Sequence, residues 1–299
     1  MSPDRDRQHL TLPDGRRLCY AEIGEPDGFP VLSLHGTPGC RLNRRPDPAV
    51  YAAAGVRLIT YDRPGYGDSD RLPGRRVVHC VDDVTALLDH LGIDEFSATG
   101  GSGGGPHLLA VAARLGPRIR RAECAVGIVP YGTPDFDWFD GMDPLNVKEF
   151  RIALEGEEPY RAHILTELAA MNRRHAESDG PGFIDDDWQL SEADRAVLDR
   201  ADLRAAIRAA EEEMCRRGPD GWVDDGLCFT DPEWGFDLDE ISIAVRITWG
   251  LSDVLVPAAH GRWLSEHVPH AIPDPRADEG HMGDPDKLVD ELRWLAGTP

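Results

Sequence analysis

Short apolar runs alternate with amphipathic segments over the first 130 residues of the chain. The runs at 30–35 (PVLSLH) and 56–62 (VRLITYD) have the length and composition typical of strands buried on both faces. Apolar residues recur at helical spacing from Val81 to Leu91, and Gly92 ends that helix. The remaining predicted elements are a hairpin over 7–24 with its turn at Asp14-Gly15, strands at 96–100 and 122–130, and a helix at 107–115.

The pattern changes between about residues 131 and 240, where helical periodicity replaces the strand-like runs. Three apolar sets each fall on one helix face: Val147, Phe150 and Leu154; Ile164, Leu168 and Met171; Leu203, Ile207, Ala210 and Met214. The earlier rhythm resumes with a strand at 244–249, a helix at 257–268 and a last helix marked by Leu288, Leu292 and Leu295. We therefore predict an α/β fold with a mostly parallel central sheet flanked by helices, formed by 1–130 and 241–299 and interrupted by a helical lid domain at 131–240.

Charge narrows the classes of partner. The 299 residues contain 54 Asp and Glu against 32 Lys and Arg, a net charge of −22, and residues 131–240 alone contain 29 acidic against 11 basic residues. Such an acidic surface repels phosphate backbones and anionic lipids, so we expect neither nucleic-acid nor membrane binding. We expect many of the acids in 131–240 to lie on solvated helix faces.

The composition also predicts the compartment. No apolar run reaches the roughly 18–20 residues that a transmembrane helix needs. The first 15 residues (MSPDRDRQHLTLPDG) carry charges with no apolar segment behind them, unlike a secretory signal. The six cysteines form no C-x-x-C pair and are expected to be reduced thiols. We therefore expect a cytoplasmic protein, and its Arg-rich, Lys-poor composition is typical of a GC-rich bacterial genome.

A glycine-rich turn between a predicted strand and a predicted helix offers a nucleophile. Residues Gly100 to Gly104 (GGSGG) fit G-x-S-x-G, in which Ser102 would stand at the tip of a strained turn with small residues on either side. The following helix would direct its N–H groups and positive dipole end at the site. Three alternatives remain open, namely a flexible linker, a structural turn with an idle serine, and a dinucleotide loop, although Pro106 breaks G-x-G-x-x-G.

Acyl transfer also needs two N–H donors for the oxyanion. One would come from Gly103, directly after the nucleophile, and the other from Thr37 in the segment HGTPG that follows the first buried strand. Pro38 cannot donate, and it restricts the backbone of Thr37. An ordinary strand-to-helix turn would use the same Gly and Pro residues.

The best candidates for base and acid lie after the helical segment. His281 precedes the last helix, and Asp253 follows the strand at 244–249, which gives the chain order Ser, Asp, His. His281 would take the Ser102 proton and Asp253 would hold the imidazole tautomer. The alternative acids are Asp135 and Asp137, and His35 is a weaker candidate base.

Metal and phosphate motifs are absent from the sequence. There is no H-E-x-x-H and no G-K-S/T, and His267 and His270 form only an H-x-x-H spacing at a predicted helix end. We expect no metal and no other cofactor.

Across its whole length the chain resembles the α/β-hydrolase superfamily. Four segments carry the resemblance in order: residues 35–39, residues 62–70 (DRPGYGDSD), residues 100–104, and Asp253 with Gly280-His281. Proline iminopeptidases are similar around the oxyanion loop but show H-G-G-P-G and G-G-S-W-G, where this chain has Thr37 and Gly103. Epoxide hydrolases share H-G-x-P, and Tyr131 and Tyr160 could imitate their lid tyrosines, yet they and the haloalkane dehalogenases attack with Asp rather than Ser.

The resemblance implies a serine hydrolase that cleaves a small carboxylic ester or lactone through an acyl-enzyme on Ser102. The alternatives are an aminopeptidase of the proline iminopeptidase type, C–C bond cleavage by the same residues, and a non-catalytic ligand sensor on the same fold. The expected partner is a small-molecule substrate, and the oligomeric state stays open between a monomer and a homodimer.

Overall fold

A computed structural model describes residues 5–185 and 187–297. Its eight strands are β1 Gln8–Thr11, β2 Arg17–Gly24, β3 Phe29–Leu34, β4 Val56–Tyr61, β5 Phe96–Gly101, β6 Ile119–Ala125, β7 Val245–Gly250 and β8 Ala271–Arg276. They form one sheet in the order β1-β2-β4-β3-β5-β6-β7-β8. The first two pairings in that order are antiparallel and the pairs from β4 to β8 are parallel. The mostly parallel sheet predicted from the sequence is confirmed.

Ten α-helices accompany this sheet in the described part of the chain. They are α1 Pro48–Ala52, α2 Cys80–His90, α3 Gly104–Leu115, α4 Pro144–Ala153, α5 Glu157–Glu177, α6 Glu192–Leu198, α7 Ala201–Met214, α8 Asp220–Thr230, α9 Ala258–His267 and α10 Leu288–Ala296. Five of them, α4 to α8, lie between β6 and β7, and we call residues 144–230 the helical insert. None of the helices in the described residues is long and apolar enough to cross a membrane.

The predicted strand at 122–130 is shifted in the structure. β6 begins at Ile119 and ends at Ala125, because Val126 adopts a positive φ of 46° and its N–H donates to Thr248 of β7. The apolar residues 127–130 are therefore a loop rather than strand. Gly127 packs closely against Cys124, since a Cβ at Gly127 would lie 2.4 Å from the Cys124 sulfur.

The hydrophobic pattern did not predict β8, an edge strand that contains Pro273 and Pro275. Proline is tolerated at a sheet edge because the N–H that it lacks would face outward. The core of the sheet is formed by apolar residues of β3, β5, β6 and β7 packed against α2 and α3. The carboxyl ends of these parallel strands all open toward the same edge, where the predicted site residues lie.

Candidate active site

Ser102 occupies a sharp turn between β5 and α3. Its φ is +54°, in the left-handed region that L-residues rarely adopt. A Cβ on Gly100 would lie 2.3 Å from the Gly104 carbonyl oxygen, and a Cβ on Gly104 would lie 2.1 Å from that of Leu34. The two glycines therefore let β5, α3 and the end of β3 approach closely enough to hold Ser102 in this strained conformation.

His281 and Asp253 meet through the loops after β8 and β7. His281 Nδ1 lies 2.8 Å from Asp253 Oδ2, while Asp253 Oδ1 accepts the N–H groups of Leu255 at 2.8 Å and Val256 at 2.9 Å. Burial lowers the pKa of His281, but the adjacent Asp253 carboxylate outweighs burial and leaves that pKa raised above its ordinary value. The carboxylate thus fixes the ring and favours its protonated form.

Ser102 and His281 share the walls of two cavities. One has a volume of about 60 Å³ and is enclosed by aromatic side chains of the insert; the other has about 350 Å³ and is more open. Among the described residues no hydrogen bond joins Ser102 Oγ to His281. Hydrogen bonds between a nucleophile and its base are often long or poorly aligned when no substrate is bound. Asp135 and Asp137 are not among the residues that line these cavities, and neither contacts His281.

Thr37 and Gly103, the predicted oxyanion donors, lie side by side next to Ser102. A Cβ on Gly103 would lie 2.4 Å from Thr37 Oγ1, and a Cβ on Gly36 would lie 3.4 Å from the Ser102 Cβ. In the described part of the chain the Thr37 N–H donates to no acceptor. Gly103 is the N-cap of α3, so its N–H belongs to the unpaired group at the start of that helix.

His35 has a different role from the one that a base would have. It is buried, its Nδ1 donates to Gly36 O at 2.8 Å, and its Nε2 accepts the Arg63 N–H at 3.2 Å. Burial, and then the charge of Arg63, hold its pKa well below the ordinary value. The ring is therefore neutral, and its Nδ1 is hydrogen-bonded to the backbone of the oxyanion loop, residues 35–39.

Many acids of residues 131–240 are exposed, as expected, but several acids of the insert are buried. Asp194 and Asp225 have no exposed surface, and Asp224 and Glu149 are 3% and 8% exposed. Two of them touch the site loops, since Asp225 accepts from Thr37 Oγ1 and Asp194 accepts from the Met282 N–H. No local pattern predicts this, because an acid that pairs across the fold and an acid in water are the same residue in the sequence.

Glu149 contributes a carboxyl to the wall of the smaller cavity. Its Oε1 accepts from Tyr160 Oη and from Trp222 Nε1, each at 2.8 Å. Burial raises the pKa of Glu149 to about 7 despite these two hydrogen bonds. Of the two candidate lid tyrosines, Tyr160 lines the smaller cavity, whereas Tyr131 lines neither cavity and packs against Trp138 and Phe139.

Within the described residues, one group could offer three ligands to a metal ion, and it consists of His9, Cys19 and Asp68. It lies in the β1–β2 hairpin and the loop after β4. None of its members lines a cavity that contains Ser102. His9 Nε2 and Asp68 Oδ2 are already hydrogen-bonded at 2.9 Å, which accounts for their proximity.

Comparisons with known proteins agree with this architecture. A family model described as alpha/beta hydrolase fold matches residues 30–202. A non-heme chloroperoxidase of Streptomyces lividans is 27% identical over 258 residues, which cover 84% of this chain and 83% of that protein. A proline iminopeptidase of Xanthomonas citri is 36% identical over 111 residues, which cover 35% of this chain and only 34% of that protein.

The fold also resembles solved structures. An esterase from Rhodococcus sp. ECU1013 superposes with a TM-score of 0.66 at 20% sequence identity, covering 98% of each chain. At that identity the superposition establishes a shared fold.

Proposed function

The chain belongs to the α/β-hydrolase family, and from this premise we propose that it is a serine hydrolase that cleaves a small carboxylic ester or lactone through an acyl-enzyme on Ser102. One observation carries the proposal. Ser102, with its strained backbone, lines the same two cavities as His281. The Nδ1 atom of His281 is hydrogen-bonded to the buried Asp253. The proposed nucleophile and base thus share the cavity walls, and the orienting acid is hydrogen-bonded to the base.

In the proposed reaction His281 Nε2 takes the Ser102 hydroxyl proton as Oγ attacks the ester carbonyl carbon. The N–H groups of Thr37 and Gly103 stabilise the resulting oxyanion. The C–O bond to the leaving alcohol then breaks, and His281 returns the proton to that alcohol. Water, deprotonated by His281, hydrolyses the acyl-enzyme, releases the carboxylic acid and restores Ser102.

The shape of the site supports a small substrate. The enclosed cavity has a volume of only about 60 Å³, so the side of the ester that enters it must be short. Its wall includes Phe150, Phe183, Trp188 and Phe229, which exclude water from the reacting bond. In this proposal residues 131–240 act as the lid that supplies half of the residues in this wall.

Labelling with a fluorophosphonate probe tests the proposal. We expect a covalent adduct that peptide mass mapping places on Ser102, together with turnover of a short-chain ester such as p-nitrophenyl acetate. Ser102→Ala should abolish both, and His281→Ala should slow both strongly, while circular dichroism shows an intact fold. A folded wild type that neither takes the probe nor cleaves the ester would favour the ligand-sensor alternative.

Glu149 favours a second candidate, an aminopeptidase of the proline iminopeptidase type. A carboxylate in the wall of the smaller cavity could bind the protonated N-terminus of a peptide, at a pH above its pKa of about 7. Proline-linked and acetyl-linked chromogenic substrates distinguish the two functions. Faster cleavage of the proline substrate, lost selectively in Glu149→Gln, would replace the esterase proposal.

A further inference from the structure

Asp225 of α8 is fully buried and is the centre of a cluster of side chains beneath the oxyanion loop. Its Oδ2 accepts from Thr37 Oγ1 at 2.5 Å, from Tyr66 Oη at 2.9 Å and from Arg63 Nη2 at 2.6 Å. Its Oδ1 accepts from Arg75 Nη2 at 2.5 Å. Asp225 and Arg63 have no exposed surface. A residue of the insert is therefore bonded directly to the loop that carries a proposed oxyanion donor.

Arg63 fixes the direction of the peptide that contains that donor. Its Nη2 donates to Gly36 O at 2.8 Å and to Thr37 Oγ1 at 3.0 Å, and its Nη1 donates to His35 O. In a trans peptide the C=O and the next N–H point in opposite directions. Because the Gly36 carbonyl points to Arg63, the Thr37 N–H points away from Arg63. Thr37 lines both cavities that contain Ser102, whereas Arg63 lines neither of them.

The cluster also has an excess of positive charge. Two guanidinium groups, those of Arg63 and Arg75, pair with the single carboxylate of Asp225. His107 packs beside them, and burial followed by the charge of Arg63 lowers its pKa to about 3, so it is neutral. Burial would raise the pKa of Asp225, but the two arginines hold it well below the ordinary value. A buried positive charge next to the oxyanion loop favours an anion there.

We propose that Asp225 and Arg63 are positioning residues that aim the Thr37 N–H at the oxyanion, so that the oxyanion hole is complete only while α8 of the insert is docked on the core. The mechanistic part of this proposal rests on the proposed function of Ser102. The structural part, that Asp225 holds the loop at residues 35–39 in place, does not depend on the reaction.

The neighbouring Asp224 provides a matched control. It lies on the same helix, is 3% exposed, and forms an ion pair with Arg71 at 2.7 Å. Like Asp225 it joins the insert to the loop after β4, but it touches no residue of the oxyanion loop. A general loss of insert docking should therefore affect both variants, and a loss of oxyanion positioning should affect only Asp225.

Asp225→Asn and Asp224→Asn are compared by hydrogen exchange of the peptide that covers residues 35–39 and by kcat and KM for a short-chain ester. In Asp225→Asn we expect faster exchange in that peptide, a kcat lowered by about tenfold to a hundredfold, and a KM changed by less than about threefold. The effect falls on kcat because removing one oxyanion donor lowers kcat by a factor of about 10²–10³. In Asp224→Asn both measurements should stay close to wild type. Thr37→Val, which keeps the N–H but loses Oγ1, should resemble Asp225→Asn and replaces it if that variant does not fold.

Equal effects of the two Asp variants, or unchanged exchange and kcat in Asp225→Asn, would overturn the proposal. If wild type itself fails to cleave esters or to take the probe on Ser102, the proposed function fails. The exchange comparison would then still decide whether Asp225 positions the loop.

Discussion

Buried carboxyl groups of the insert differ in what compensates their burial. Asp225 faces two arginines, which keep it ionised and hold its pKa well below the ordinary value. Among the described residues, Glu149 receives hydrogen bonds only from the neutral Tyr160 and Trp222, so burial dominates and raises its pKa to about 7. A buried carboxyl group is therefore a fixed charge at Asp225 and a group that titrates near neutrality at Glu149.

The raised pKa of Glu149 predicts a pH dependence of stability. Its ordinary value is 4.5 and its value in the fold is about 7, so between these pH values the native state holds a proton that the unfolded chain releases. The free energy of unfolding therefore falls from pH 4.5 to pH 7 through this group and stays lowered above pH 7. Glu149→Gln should remove that loss and raise the Tm at pH 8 more than at pH 4.5.

Thermal melts of wild type and Glu149→Gln between pH 4.5 and pH 8 measure this effect. Glu158→Gln, which replaces an exposed carboxyl on α5, serves as the control and should shift the Tm little at either pH. A Glu149→Gln gain that is equal at both ends of the range would contradict the raised pKa.

Asp253 predicts the pH dependence of the reaction. Catalysis needs neutral His281, and Asp253 leaves the pKa of His281 raised, so kcat/KM should rise with pH through a midpoint above the ordinary histidine value of about 6.5. In Asp253→Asn the midpoint should move to lower pH, and kcat should fall by about 10³–10⁴ because the imidazole is no longer held in its tautomer. Profiles of kcat/KM from pH 5 to pH 9 test this, and coincident midpoints would disprove it.

At the scale of elements, three parts of the insert hold the loops that surround Ser102. Besides Asp225 of α8 on the oxyanion loop, Asp194 of α6 accepts from the Met282 N–H at 2.7 Å, next to His281. Asn146 of α4 donates to Leu255 O at 2.8 Å, two residues after Asp253. The insert is thus bonded to each loop that carries a proposed catalytic residue other than Ser102.

The crossing of β3, β5 and α3 predicts a strict demand for glycine. In Gly104→Ala the new methyl group would meet the Leu34 backbone, which cannot move away as a side chain would. We therefore expect the free energy of unfolding to fall by about 1–3 kcal/mol and labelling by the probe to be lost. Gly101→Ala is the control for stability, because its Cβ would meet nothing closer than the Ala125 oxygen at 4.0 Å. Denaturant unfolding of both variants measures the difference, and equal losses would refute the crowding argument.

Elements with a local signal were predicted, and those without one were not. The hairpin β1–β2, the strands β3, β4, β5 and β7, and the apolar faces of α5 and α7 follow from periodicity and turn residues. The end of β6 depends on the backbone of Val126 and its bond to β7, and β8 depends on an edge that tolerates two prolines. Both depend on neighbours that are distant in sequence.

For the whole molecule, the net charge of −22 predicts a salt dependence. Much of the charge lies in residues 131–240, and self-repulsion of like charges opposes the compact state. Raising NaCl from about 10 mM to about 150 mM shortens the screening length from about 30 Å to about 8 Å and should raise the Tm by a few degrees. A neutral osmolyte at equal osmolality is the control, and a Tm that falls with NaCl would show that attractive ion pairs dominate instead.

The sequence by itself determined the family, the parallel sheet, the turn that presents Ser102, and the order of Ser102, Asp253 and His281 along the chain, because each depends on residues adjacent in sequence or on strand ends. Which residues meet depends on the tertiary structure. Asp253 rather than Asp135 is hydrogen-bonded to His281, and Asp225 is hydrogen-bonded to Thr37. Tyr160 rather than Tyr131 lines the smaller cavity. The physical reason is that the burial and pairing of a charge depend on what packs against it. Those neighbours come from other segments of the chain, and Asp225 and Thr37 lie 188 residues apart.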